Sequence, residues 1–301
     1  MKQTLLFITI LLLAIVAAQG AGQKTVVSLP LGESLVNVNV YESAGANVTF
    51  YAPHHNEQTA RVLAREYVER SGGRLVEIES FDEKGNPMRF LKFALKGKTY
   101  TIDPNRIYTD NGRSCNTAAE INETVKTFAE SLLKILLAPD GKNLRENERF
   151  VVAVHNNTDV DTKAESAKPN DLTAVAFVKS TNSMILSHGA FEEQADGVFL
   201  SNTETDADNF IFLSTPAYIG YFAEKGFNVV VQKPASKLRS KQCSIDDGSM
   251  SVYVAQAAIQ YICLEADTAT GTFRQRQMLE AVYALLPEQK QIEQTNVAAR
   301  K

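Results

Sequence analysis

The 301-residue sequence has no tryptophan, only three cysteines and only four histidines, and its charges nearly balance. The 31 Lys and Arg residues against 35 Asp and Glu residues give a net charge of -4, without the basic excess of nucleic-acid-binding proteins. We therefore expect no nucleic-acid partner. Three cysteines are too few for a disulfide-rich scaffold. A hydrophobic fraction of 44% and a charged fraction of 22% are typical of a globular protein and exclude a disordered chain.

The N-terminal segment 1–20 has the composition of a secretory signal peptide. Lys2 precedes an apolar run over residues 5–18, and small residues close and follow that run. The run is shorter than the roughly 20 residues of a transmembrane helix, although a retained membrane anchor is the alternative. We expect cleavage after Ala18 or Gly20, no stable membrane insertion afterwards, and a secreted or periplasmic location.

The rest of the sequence alternates strand patterns with helix patterns. Residues 36–40 alternate in polarity with a period of two, and residues 150–154 are uniformly apolar, as in a strand buried on both faces. Apolar residues at helical spacing predict a helix over 58–70. This order predicts one α/β domain over residues 21–287, with a central mixed, largely parallel sheet flanked by helices. A polar tail is expected over 288–301.

Two helix boundaries and one insertion are also predicted. Asn116 is expected to cap a long helix that ends before Pro139, and the last helix is expected to stop at Pro287. The polar, acidic stretch 156–208 is interpreted as an excursion from the core, and it contains His188.

The other histidines lie next to predicted strand ends. His54 and Glu57 are three residues apart after one strand, and His155 directly follows the apolar strand 150–154. Two histidines and one carboxylate are a common ligand set for catalytic zinc and leave one position for water. The alternative is a structural role, with His54 and Glu57 capping the next helix and His155 hydrogen-bonded at its strand end. We predict that these three residues bind one Zn²⁺ per chain.

Four motifs resemble the zinc carboxypeptidase family. His54-His-Asn-Glu57 resembles its His-x-x-Glu motif, and more narrowly the His-Gly-Asn-Glu form of the succinylglutamate desuccinylase/aspartoacylase-like branch. Asp103-Pro-Asn-Arg-Ile-Tyr108 is similar to the Asn-Arg segment that binds a substrate carboxylate in both branches. His155 matches the third zinc ligand, and Tyr261-Ile-Cys-Leu-Glu265 resembles the late strand that carries the catalytic glutamate. The motifs occur in the family's order and span most of the chain.

This resemblance implies a zinc-dependent hydrolase that cleaves an amide bond next to a free carboxylate. Glu265 would be the general base for a metal-activated water, and Asn105 and Arg106 would bind the substrate carboxylate. Arg89 is the expected stabiliser of the oxyanion, and Arg113 is a second candidate. The substrate would be a small peptide or an N-acyl amino acid.

Three functions remain open from the sequence. A metallocarboxypeptidase is favoured by Arg89 and by the Gly248-Ser249 pair, which lies sixteen residues before Glu265. The His-x-Asn-Glu pattern instead favours an N-acyl amino acid deacylase. Cys243 stands where the carboxypeptidase branch has a tyrosine, which leaves room for a non-catalytic binding protein on the same fold. In an oxidising compartment Cys243 has a candidate disulfide partner in Cys115, but the sequence does not decide the pairing.

Overall fold

A computed structural model of the protein describes residues 22–137, 150–157, 177–180, 183–186, 195–199, 209–267 and 271–299. The predicted signal peptide, His188 and most of the excursion 156–208 lie outside these ranges. Within them, no helix combines the length and the apolar character needed to cross a membrane.

The described strands fall into one large sheet and two hairpins. They are β1 (Gln23–Leu31), β2 (Ser34–Ser43), β3 (Val48–Ala52), β4 (Gly73–Ile78), β5 (Leu91–Leu95), β6 (Lys98–Ile102), β7 (Phe150–Asn157), β8 (Phe177–Ser180), β9 (Ser183–Leu186), β10 (Ala195–Phe199), β11 (Phe210–Leu213), β12 (Asn228–Gln232) and β13 (Tyr261–Asp267). Strands β5 and β6 form one hairpin and β8 and β9 form the other.

The described helices connect and flank the strands of the large sheet. They are α1 (Gln58–Ser71), α2 (Asp110–Asn116), α3 (Asn122–Leu137), α4 (Ile219–Glu224), α5 (Ala235–Leu238), α6 (Met250–Gln256) and α7 (Gly271–Ala299). Short 3₁₀ turns at Ala119–Ile121 and Pro216–Tyr218 precede α3 and α4.

The large sheet has the strand order β1-β2-β4-β3-β7-β13-β11-β12-β10 among the described residues. Its centre is parallel, because β4, β3, β7 and β13 pair in one direction. Antiparallel pairings of β1 with β2, β2 with β4, β13 with β11, and β12 with β10 make the sheet mixed. The predicted α/β class, with a central mixed sheet flanked by helices, is confirmed.

Apolar side chains cover both faces of the sheet. In β7, Val151 and Ala153 join the hydrophobic cluster that includes α3, whereas Val152 and Val154 join the cluster that includes α1 and α7. This alternation follows from the two-residue period of a strand. It explains why residues 150–154 are apolar without interruption, as predicted for a strand buried on both faces.

Helix α1 agrees closely with its sequence prediction. Its buried residues follow helical spacing and are Ala60, Leu63, Ala64, Tyr67 and Val68. The chain then turns at Gly72, which has a φ of 83°. A Cβ atom there would collide with the carbonyl oxygen of Ala44, so a glycine is required.

Two predicted helix boundaries are wrong. Asn116 is the last residue of α2, and the long helix α3 begins only at Asn122. The side chain of Thr109 caps α2 by accepting a hydrogen bond from the N–H of Gly112, which starts a separate short helix. Helix α7 continues to Ala299 instead of stopping at Pro287, since a proline removes one backbone hydrogen bond without always ending a helix.

Candidate metal centre

Three neighbouring parallel strands bring the predicted site residues to one edge of the sheet. Strand β3 ends at Ala52, two residues before His54, while His155 lies on β7 and Glu265 on β13. Glu265 pairs in register with His155. In a strand, residues two apart point to the same face, so Glu265 shares the face of Cys263. The carboxyl edge of a parallel sheet is also where binding sites of α/β proteins usually form.

His54, Glu57 and His155 form a buried cluster. Nδ1 of His54 lies 2.7 Å from Oε1 of Glu57, and Nδ1 of His155 lies 2.9 Å from Oε2. The three side chains are almost fully buried, with exposed fractions of 0%, 5% and 5%. One nitrogen or oxygen atom from each lies within 4.8 Å of the others. Two imidazole nitrogens and a carboxylate this close together fit the ligand preferences of Zn²⁺.

The start of α1 and strand β7 together position Glu57. Glu57 occupies the N-cap position of α1, and its N–H donates to the carbonyl oxygen of His54 at 3.3 Å. The N–H of Asn156 donates to Oε2 of Glu57 at 3.3 Å. The Asn156 side chain accepts from the N–H of Ala60 at 2.8 Å, which ties β7 to the first turn of α1. The role of Asn156 was not predicted from the sequence, although Asn156 directly follows His155.

Asp103 orients His54 from the side opposite Glu57. Oδ1 of Asp103 lies 2.9 Å from Nε2 of His54, and its Oδ2 lies 3.4 Å from Nε of Arg89. A histidine whose Nε2–H donates to a carboxylate keeps Nδ1 available for a metal. Burial opposes ionisation of Asp103, but His54, Arg106 and Arg89 lower its pKa below the usual value. This role of Asp103 was not predicted from the sequence.

The cluster is strongly polarised even without a metal ion. Burial acts to raise the pKa of Glu57, but the adjacent His54 and His155 outweigh burial and hold that pKa far below its usual range. Burial acts to lower the pKa of His155, and Glu57 and Glu265 reverse this effect and raise it. Glu57 is therefore an anion that faces two imidazoles, which is the charge arrangement of a cation site.

Glu265 lies beside this cluster and contacts a buried thiol. Sγ of Cys263 donates to Oε1 of Glu265 at 3.2 Å, and burial raises the pKa of that thiol. Ligand atoms of His155, Cys263 and Glu265 also lie within 4.8 Å of one another. Burial raises the pKa of Glu265 above the ordinary value. A carboxylate with these surroundings is a stronger base than one in water.

Three further predicted residues lie around the cluster. Nη1 of Arg89 is 3.1 Å from Oε1 of Glu57, and about a third of the Arg89 side chain is exposed. Asn105 and Arg106 follow Asp103 in a turn that the N–H of Arg106 closes by donating to the carbonyl oxygen of Asp103 at 3.0 Å. The structure thus brings the predicted carboxylate-binding pair next to the candidate metal ligands.

Arg113, the second candidate for the oxyanion, and His55, the neighbour of His54, have other contacts. Arg113 is buried on α2 and contacts Asp110, the carbonyl oxygen of Ile107 and the side chain of Asn122. It is therefore a structural residue of this helix. Nδ1 of His55 lies 2.8 Å from the carbonyl oxygen of Ser80, which leaves Nδ1 unavailable as a ligand.

Cys115 and Cys243 form a disulfide, which decides the pairing that the sequence did not, and Cys263 is a free, buried cysteine. The disulfide connects α2 to the segment that precedes Gly248-Ser249. It crosses a sequence separation of 128 residues.

Comparison with known proteins yields structural neighbours only. No family model and no curated protein matches the chain. A solved structure described as a "putative metallopeptidase" from Shewanella baltica OS155 aligns with a TM-score of 0.41 and 12% identity, covering 92% of this chain and 90% of its own. One from Shewanella denitrificans OS217, described in the same words, has a TM-score of 0.37 and 11% identity, covering 89% and 84%. One from Shewanella amazonensis SB2B, again so described, has a TM-score of 0.36 and 10% identity, covering 91% and 89%. Because these three TM-scores are below 0.5, the function of this chain is inferred from the geometry of the site.

Proposed function

We propose that this protein is a zinc-dependent hydrolase that cleaves an amide bond next to a free carboxylate. The observation that carries this proposal is the buried His54–Glu57–His155 cluster with Glu265 paired opposite His155. The composition of residues 1–20 supports export, and the proposed location is the periplasm or the cell exterior.

Zinc would be held by Nδ1 of His54, Nδ1 of His155 and the carboxylate of Glu57. Bound zinc supplies a water whose pKa is lowered to about 7. Glu265 would accept a proton from the attacking water at its carboxylate and later deliver it to the leaving amine. Arg89, partly exposed beside Glu57, would donate hydrogen bonds to the oxygen that gains negative charge.

Asn105 and Arg106 would bind the carboxylate beside the scissile bond. A guanidinium and a side-chain amide are both hydrogen-bond donors, and arginine forms two-pronged pairs with carboxylates. The requirement for a carboxylate is common to a carboxypeptidase and an N-acyl amino acid deacylase, so this pair supports both.

Metal analysis of the purified protein tests the proposed ligands. We expect about one zinc per chain, the stoichiometry of a catalytic site with three protein ligands. The double variant His54→Ala, His155→Ala should lose it, and the matched variant His55→Ala should keep it. Unchanged zinc content in the double variant would contradict the ligand assignment.

A substrate panel tests the reaction. The zinc-loaded protein is assayed with C-terminal peptides, cell-wall peptides and N-acyl amino acids, and release of the free amino acid is measured. Cleavage of peptides supports the carboxypeptidase function, and activity restricted to N-acyl amino acids identifies the deacylase. Binding without turnover of any member would instead support a non-catalytic binding protein.

A further inference from the structure

The segment 246–250, which we call the clamp loop, is buried along its whole length and seated against Asn105 and Arg106. The N–H of Tyr108 donates to the carbonyl oxygen of Gly248 at 2.9 Å. Gly248 has a φ of 80°, and a Cβ atom there would lie 2.5 Å from the carbonyl oxygen of Arg106. This close backbone approach leaves no room for a side chain at position 248 and packs the clamp loop against the backbone of Arg106.

The clamp loop determines which end of the Asn105 amide is available. The N–H of Met250 donates to Oδ1 of Asn105 at 3.1 Å. Because a backbone N–H must meet an oxygen, this contact also fixes the orientation of the amide. The Nδ2 group, a donor, has no hydrogen-bond partner among the described residues and is left for a ligand.

Arg106 is oriented by the same loop. Its Nε lies 3.4 Å from Oδ2 of Asp247, and its Nη1 donates to the carbonyl oxygen of Asn105 at 2.8 Å. Its Nη2 group has no partner in the described part of the chain. One edge of the guanidinium therefore faces the clamp loop, and the far end keeps free donors.

The two carboxylate oxygens of Asp247 have different partners, one in the clamp loop and one in Arg106. Its side chain is almost fully buried, and Oδ1 accepts a hydrogen bond from the N–H of Ser249 at 3.0 Å. Oδ2 is buried with no hydrogen-bond partner, so that the Arg106 guanidinium is the cation that balances it. A buried carboxylate without such a cation would be strongly unfavourable.

We propose that Asp247 is a positioning residue that makes the Asn105–Arg106 pair selective for a carboxylate over the corresponding amide. Oδ1 of Asn105 accepts from the N–H of Met250, and Nε of Arg106 faces the carboxylate of Asp247, so that the groups left for the ligand are donors. A carboxylate is an acceptor at both oxygens, whereas an amide brings an NH₂ group that would meet another donor. Sites built from committed hydrogen-bonding groups reject the mismatched ligand strongly.

This inference rests on the proposed function, and its test uses binding so that the two can fail separately. Calorimetry on the zinc-loaded full chain, with Glu265→Gln to prevent turnover, gives the affinities of N-acetyl-alanyl-alanine and its C-terminal amide. We expect the carboxylate to bind more tightly. Asp247→Asn, which can keep the contact to the Ser249 N–H, should reduce this preference by about tenfold or more.

Two further variants separate positioning from stability. Asp246→Asn is the matched control, because Asp246 is buried in the same loop but its carboxylate accepts from Thr109, Gln256 and the N–H of Gly248 and forms no ion pair with Arg106 among the described residues. It should keep the preference. In an Arg106→Ala background, Asp247→Asn should cause no further loss, as expected if the two act through one contact. If Asp247→Asn does not fold, Asp247→Ser carries the same expectation.

Several outcomes would overturn the inference. The first is that the parent protein binds the carboxylate no more tightly than the amide. The second is that Asp247→Asn leaves the preference for the carboxylate unchanged or increases it. The third is that Asp246→Asn reduces this preference as much as Asp247→Asn does. An increase would mean that Asp247 competes with the ligand for Arg106. Conversely, a preference that behaves as expected in a protein without hydrolytic activity would contradict the proposed function and leave the role of Asp247 standing.

Discussion

In the proposed mechanism, Glu265 is the residue whose substitution distinguishes catalysis from binding. Replacing it by glutamine keeps the size of the side chain but removes its basicity. We expect the chemical step of Glu265→Gln to slow by at least about 10²-fold, the lower end of the contribution of a positioned general base. Zinc should remain bound, because His54, Glu57 and His155 are unchanged. Single-turnover kinetics and metal analysis on the same preparation check both statements, and near-normal turnover would rule out the mechanism.

Asp103 contacts the proposed ligand His54, so its substitution should lower metal affinity, the opposite of the effect expected for Glu265→Gln. Asp103→Asn replaces the carboxylate that accepts from Nε2–H of His54 by a weaker, uncharged acceptor. Substitutions of residues that hydrogen-bond to a metal ligand lower metal affinity by about 10–100-fold. Competition with a chelator of known affinity measures the change. Asp246→Asn, which alters a buried carboxylate with other contacts, should bind zinc like the parent. Equal losses in both variants would point to general destabilisation.

The candidate ligands were predictable from the sequence because their signals are local. His54 and Glu57 are three residues apart, and His155 directly follows the uniformly apolar run 150–154, a pattern that predicts a buried strand. The contacts of Asp103 with His54 and of Asp247 with Arg106 cross 49 and 141 positions of the sequence, so no local pattern indicates them. The one local signal for Asp103 is its position two residues before Asn105, within the motif Asp103-Pro-Asn-Arg-Ile-Tyr108.

Element type was predicted best where the periodicity is long and regular, as in α1 and β7. The split between α2 and α3 was missed because distant contacts help to stabilise it. Nδ2 of Asn116 donates to the carbonyl oxygens of Gly112 and Asp247 instead of capping a following helix. Local patterns also could not predict the order of the strands in the large sheet. Strand β3 lies between β4 and β7, and β13 pairs with β7 although the two are more than 100 residues apart in the sequence.

The disulfide joins α2 to the segment that precedes the clamp loop. Replacing Cys115 and Cys243 by serine removes a cross-link with a sequence separation of 128 residues. Loop-closure arguments predict a loss of about 3–5 kcal/mol in the free energy of unfolding. Denaturant unfolding measures it, and a reductant should lower the stability of the parent similarly while leaving the double variant unaffected. Equal stability of the two proteins would mean that the other contacts between α2 and the clamp loop suffice.

At the scale of the whole molecule, the candidate centre connects parts of the chain that are far apart in sequence. Its ligands come from the turn before α1 and from β7, and Glu265 comes from β13. Both faces of the sheet are covered by apolar clusters, so the strands that carry these residues are held by the core itself. The geometry of the ligands is therefore expected to exist before the metal binds, and metal binding should stabilise the fold that presents it.

This linkage gives a prediction for thermal unfolding. A ligand that binds only the folded state at 100 times its Kd adds about 2.7 kcal/mol, which for a chain of this size raises Tm by about 5 °C. Zinc should produce this increase in the parent protein, a chelator should reverse it, and His54→Ala should abolish it.

The zinc-dependent increase in Tm should also depend on pH. Protons compete with zinc for the imidazoles, and Glu57 and Glu265 raise the pKa of His155 against the effect of burial. The zinc-dependent increase should therefore shrink as the pH falls, beginning above the ordinary histidine pKa of about 6.5. Differential scanning calorimetry across this pH range measures it, and an increase of equal size in His54→Ala would place the stabilising metal somewhere other than this cluster.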